Sequence, residues 1–255
     1  MNRDTLLKEL NQYLGIYDYD DYCQNGLQIE GSREIKKIAF AVSATRESID
    51  EAVKNEADTL IVHHALFWKF HGAKTLTGPF YKRVAPLIKN DINLIGYHLP
   101  LDAHLEVGNA KSIADLLDLK DIKAFGDHKG MPTGIRAQFK NPILPSDLAK
   151  KLEKILNHSV IHSSPSSDPI HSIGIITGGA NSNWRDCKKF NLDAYLTGEI
   201  SEHDWHEAKE DGIHFYAGGH HATEKFGIQN LKEYISQKYN HEKLETFFID
   251  SLNPA

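Results

Sequence analysis

Short apolar runs of strand length recur along this chain, and most are followed by a segment of helical pattern. Residues 38–42, 58–62, 93–96, 173–177, 194–197, 213–217 and 245–249 read as strands. Helices are expected at 47–55, 81–90, 110–117, 145–156, 184–189, 202–210 and 221–238. Residues 2–14 open the chain as an amphipathic helix, with Leu6, Leu7, Leu10 and Leu14 on one stripe. The apolar runs show little in/out alternation, which predicts an α/β protein with mostly parallel, βα-alternating sheets covered on both faces.

Polar connectors at 126–132 and 163–168 interrupt the alternation, and residues 134–139 and 160–161 add short strands between them. A strand–turn–helix–strand order in "KIAFAVSATRESIDEAVKNEADTLIVHH" returns faintly in "SIGIITGGANSNWRDCKKFNLDAYLTGE". The reading is therefore two α/β lobes, 1–125 and 126–255. The last part, about 213–255, is expected to pack back on the first lobe and bring His220 and Glu224 with it.

In open parallel sheets, ligands bind beyond the carboxyl ends of the strands. Three groups of metal-ligating residue types fall at such ends: His63-His64, His98 with Asp102, and His220 with Glu224. His220 and Glu224 are four residues apart at a helix start, so one face carries both, and His221 points elsewhere. His63 and His64 are adjacent at a strand terminus, where successive side chains diverge, so each can serve a different ion. Pro100, between His98 and Asp102, argues against a regular helix there. Each group also has a plain structural reading. A histidine pair can be a surface or core feature, and a carboxylate is favoured at a helix start in any case.

Three imidazoles and two carboxylates, His63, His64, Asp102, His220 and Glu224, would hold two divalent cations and leave positions open to water or substrate. Such donors suit zinc, manganese, iron, cobalt or nickel. Of the 15 histidines, His71, His104, His128, His158, His162 and His171 read as loop residues, and His203 and His206 as surface residues of one helix. Gly178-Gly179 and Gly218-Gly219 permit close backbone approach but lack the lysine of a phosphate loop.

Composition narrows the class. With 35 acidic and 29 basic residues the formal charge is −6, and no Lys/Arg block offers a nucleic-acid footprint. Two distant cysteines suit a reducing compartment. No apolar run approaches membrane-spanning length, so the expected location is the cytoplasm.

The stretches "NGLQIEG", "ADTLIVHHALFWK", "NLIGYHLPLDAH", "YLTGEISE", "HFYAGGHHATEKFGI" and "FFIDSLNPA" resemble the GTP cyclohydrolase 1 type 2 homologues, also called the NGG-interacting-factor-three-like family. The resemblance covers nearly the whole chain and is weakest across 134–171. It implies a two-lobed protomer, a dinuclear metal site in the crevice between the lobes, and a toroidal homohexamer without the large inserted domain of longer relatives. The family's ligands carry over onto the same five residues. The implied activity is hydrolytic opening of the GTP imidazole ring with release of formate. His98 would then serve catalysis as a proton shuttle, or only orient Asp102. A dinuclear phosphatase or phosphodiesterase, or a metal-binding scaffold without enzymatic activity, are the alternatives.

Overall fold

The computed structural model describes residues 1–255. It contains two compact units, Met1–Leu101 with Ile228–Leu252, and Asp102–Gly227 with Asn253–Ala255. The chain therefore passes from the first to the second after Leu101 and returns at Ile228.

In chain order the first stretch contains α1 (Arg3–Tyr13), β1 (Gly26–Ile29), β2 (Lys37–Ser43), α2 (Arg46–Lys54), β3 (Thr59–His64), α3 (Gly78–Lys89), β4 (Asn93–Gly96) and α4 (Leu99–Asp102). Then follow α5 (Asn109–Leu116), β5 (Leu119–Phe125), β6 (Gly134–Ile143), α6 (Pro145–Leu156), β7 (Ile161–Ser163) and β8 (Ile170–Ile175). The chain ends with α7 (Asp186–Lys189), β9 (Ala194–Thr197), α8 (Glu202–Glu210), β10 (His214–Ala217), α9 (His220–Lys238) and β11 (Glu245–Phe248).

The first unit holds a five-stranded sheet in the order β1-β4-β3-β2-β11. Its three inner ladders are parallel, and β1 joins the edge antiparallel to β4. Capping begins its helices as the residue types dictate. Asn2 accepts from the Asp4 and Thr5 amides at the head of α1, and Thr45 with Ser48 forms a capping box on α2. Ile49, Leu60, Val62, Leu87 and Leu94 are almost wholly buried in its core. Each such side chain contributes about 1.5–3 kcal/mol relative to exposure.

The second unit holds a six-stranded sheet, β5-β6-β8-β9-β10-β7, in which only the β8-β9 and β9-β10 ladders are parallel. Both sheets are thus mixed: the first is parallel in all but its β1-β4 ladder, whereas the second is mostly antiparallel, which corrects the mostly parallel expectation there. The antiparallel strand β6 alternates buried with more exposed residues from Ile135 to Lys140, the mark of a sheet with one solvated face. Residues 119–125 were not expected to be a strand at all. Pro100 also proves compatible with helix, because it sits in the first turn of α4, where its missing N–H is no loss. No helix is long and apolar enough to cross a membrane.

What positions the chemistry is register. In the first unit β3 and β4 run parallel with Val62 opposite Gly96, so the residues following each pair lie side by side at the same end of the sheet. Those residues are His63-His64 and Tyr97-His98.

Candidate metal centre

In the first unit, His63 is fully buried and its Nδ1 lies 2.9 Å from the Tyr97 carbonyl oxygen. A carbonyl only accepts, so Nδ1 carries the proton and Nε2 presents its lone pair, the tautomer a metal requires. His64 Nδ1 lies 3.1 Å from the Ser43 hydroxyl, its register partner on β2. His98 completes a triad with them: their ring nitrogens lie within 4.8 Å of one another, and the His63 and His98 rings are 5.1 Å apart.

His98 is held by a residue the sequence reading missed. Asp21, 2 % exposed, takes the His98 Nδ1–H at 2.7 Å. The same carboxylate accepts from the Cys23 amide, the Leu99 amide and the Asn25 side chain. Burial alone would push this carboxyl up. The hydrogen bond and charge of His98, with the Cys23 and Asn25 donors, outweigh burial and bring it down to about 2. Asn25 Oδ1 also accepts from the His98 amide at 2.8 Å, so the Asn25-Gly26 turn serves as a brace. No spacing rule links residues 77 positions apart.

In the second unit, Asp102 is buried, and its Oδ1 accepts from Asn109 Nδ2 at 2.8 Å and Thr177 Oγ1 at 3.0 Å. A carboxylate oxygen of Glu224 lies within 4.8 Å of one of Asp102. His220 opens α9, with Nε2 3.1 Å from Glu224 Oε2 and Nδ1 2.5 Å from Glu199 Oε1. Burial lowers the His220 pKa, but the hydrogen bond and charge of Glu224, reinforced by Glu199, raise it to about 9. His220 therefore holds a proton at neutral pH until a cation displaces it. Glu199 lies just past the end of β9 and is not among the ligands the sequence suggests. Its Glu-after-Gly position at the β9 terminus was the available signal.

Two glycines make this cluster compact. Gly178 has φ +68°, and a Cβ there would run into the Glu224 carboxylate and come within 3.2 Å of His220 Nε2. A Cβ on Gly198 would lie 2.6 Å from the His220 Cα. His221 is one residue from His220, and its amide donates to the Ala255 carbonyl. His104 Nδ1 accepts from the Glu106 and Val107 amides and acts as a local cap. His203 and His206 are exposed, as expected.

The chain thus carries clusters of His, Asp and Glu side chains able to coordinate a divalent cation. Imidazole nitrogen and carboxylate oxygen suit first-row divalent ions. The buried Glu224 carboxylate, brought beside His220 by the lack of a Cβ on Gly178, fits such a group.

The sequence matches the family described as Duf34/NIF3 (NGG1p interacting factor 3) over residues 1–254. The chain belongs to that family. Among its Duf34/NIF3 relatives, a GTP cyclohydrolase 1 type 2 homolog of Pasteurella multocida is 40% identical across 100% of both chains. The protein of the same description from Haemophilus influenzae is 39% identical, again over 100% of both. Two solved structures share the fold across 100% of both chains. Protein ybgI, described as of unknown function, superposes with a TM-score of 0.92 at 37% identity. TTHA1606 of Thermus thermophilus superposes with 0.89 at 31%. The Duf34/NIF3 chain described here is thus a GTP cyclohydrolase 1 type 2-like protein with clusters suited to divalent metal.

Proposed function

We propose that this protein is a metal-dependent hydrolase whose two divalent cations are held by His63, His64, Asp102, His220 and Glu224. The observation that carries this reading is the complementary preparation of the two clusters. His63 offers a lone pair whose tautomer the Tyr97 carbonyl fixes. Asp102 and Glu224 offer buried negative charge, which costs free energy unless a cation or hydrogen bonds compensate it. Bound divalent ions supply Lewis acidity and bring the ionisation of water toward neutral pH. His98, with Nδ1–H committed to Asp21, has Nε2 left to accept or return a proton.

The names of the curated relatives make GTP the substrate to propose, with opening of its imidazole ring and release of formate. A toroidal homohexamer is the assembly proposed from the same resemblance. Metal content by elemental analysis and formate release from GTP test the reading together. Two ions per chain with formate production support it. Two ions with turnover only of phosphate esters would replace it with a dinuclear phosphatase. Two ions with no turnover of either substrate would replace it with a metal-binding scaffold.

A further inference from the structure

Beside the histidine triad lies a run of aromatic side chains that the metal chemistry does not use. The Trp68 ring stands edge-on to His98, 5.0 Å between centroids at 80°. Phe70 follows at 5.5 Å, tilted 32° to the indole, and is 66% exposed. The run therefore leads from the catalytic imidazole to solvent within the first unit.

This segment is pinned. The amides of Leu66 and Phe67 both donate to Gln28 Oε1, and the Trp68 indole N–H donates to the Ala65 carbonyl. Cys23 and Trp68 form an antiparallel bridge, and the Lys69 amide donates to the Tyr22 carbonyl at 2.8 Å. A large apolar ring held in water on a braced loop is a binding feature when it continues a reactive site. Its surroundings are positive. Desolvation and the charges of Lys74 and Arg83 hold His71, whose ring abuts Phe70 at 4.6 Å, below its ordinary pKa. Lys69 is engaged with Asp20, whereas Lys74 rests over the Phe80 ring.

We propose that Trp68 and Phe70 form the stacking subsite for the base of a nucleoside phosphate, with Lys74 and Arg83 supplying the positive field for its anionic tail. The proposal rests on the nucleotide-hydrolase reading and names the residues that would recognise the substrate. An aromatic face accepts any planar base at a cost insensitive to its hydrogen-bonding edge. A cationic field beside it selects the phosphorylated form over the free nucleoside. Stacking there would place the base at the outer end of the aromatic run that leads to His98.

The test is a titration of the protein as purified with GTP and with guanosine, followed by tryptophan fluorescence in a Trp205→Phe background. Trp184 is 1% exposed, which leaves Trp68 as the accessible reporter. GTP should quench, Phe70→Ala should weaken binding about tenfold, the loss typical of one aromatic partner for one base, and Phe70→Tyr should restore it. Lys74→Ala with Arg83→Ala should weaken GTP but leave guanosine unchanged. Parental affinity in Phe70→Ala overturns the subsite, as does a parent that binds no GTP at millimolar concentration. A smaller particle by light scattering in Phe70→Ala, with GTP affinity unchanged, also overturns it and makes Phe70 a contact between copies. GTP bound through Phe70 without formate release upholds the subsite while ending the ring-opening reading. Formate release by Phe70→Ala at the parental KM does the reverse.

Discussion

The two clusters prepare the same kind of donor by opposite means. In the first unit the imidazoles are set by acceptors: the Tyr97 carbonyl holds the Nδ1 proton of His63, and Asp21 holds that of His98. Each ring is thereby oriented with its Nε2 turned away from that partner. In the second unit His220 has carboxylates on both nitrogens, Glu199 on one and Glu224 on the other. It is held protonated, and a cation must expel that proton to take its place. The difference teaches that one half is selected by tautomer and the other by competition between proton and metal.

The largest expected effect comes from Glu224→Gln. The amide keeps the shape of a 3% exposed side chain but removes the charge that balances a cation. Elemental analysis should show loss of at least one ion per chain, with hydrolysis falling to background and circular dichroism unchanged. His221→Ala, one residue away, should keep both ions. If the outcomes are exchanged, the assignment of ligands on α9 is wrong.

Gly178→Ala should come next. The added methyl meets the Glu224 carboxylate, and φ +68° disfavours any side chain there. Metal affinity should fall at least about tenfold, with a stability loss of about 1 kcal/mol or more, as expected for Ala at a positive φ. Calorimetric titration with zinc or manganese and thermal melts read the two effects separately. Parental affinity would show that the second cluster does not need its tight packing.

Asp21→Asn tests the first half. The amide can present its NH₂ group to His98 Nδ1, which favours the wrong tautomer. Outer partners of this kind typically change affinity or activity by about 10–100-fold, and here kcat should fall more than metal content. Equal losses in both would make His98 a ligand before it is a proton carrier.

The smallest effect is in pH dependence. Because His220 titrates near 9, apparent metal affinity should rise with pH through neutrality and level off only near that value. A ligand of ordinary pKa would level off near about 6.5. Glu199→Gln removes one of the two carboxylates that hold the proton, so its plateau should begin at lower pH. An unchanged profile would mean that Glu199 does not set the proton competition.

Local pattern accounts for much of what the sequence made legible. β3, which ends in His63-His64, and β10, which leads into His220, are short and largely apolar, and the four-residue spacing of His220 and Glu224 reports one helix face. The α/β character follows from the same alternation. The mixed sheets did not follow, because strand direction at an edge depends on the path of the connecting loop. β1 and β5 carry too few apolar residues to announce themselves.

By itself, then, the sequence determined which donor types stand at the ends of β3 and β10 and that helices follow the strands, since those properties repeat every 2 or 3.6 residues. The tertiary structure alone decided that Asp21 would lock His98, that Glu199 would face His220, and that Gly178 would leave room for Glu224. Contacts between distant positions depend on register and close approach, and neither leaves a periodic trace along the chain.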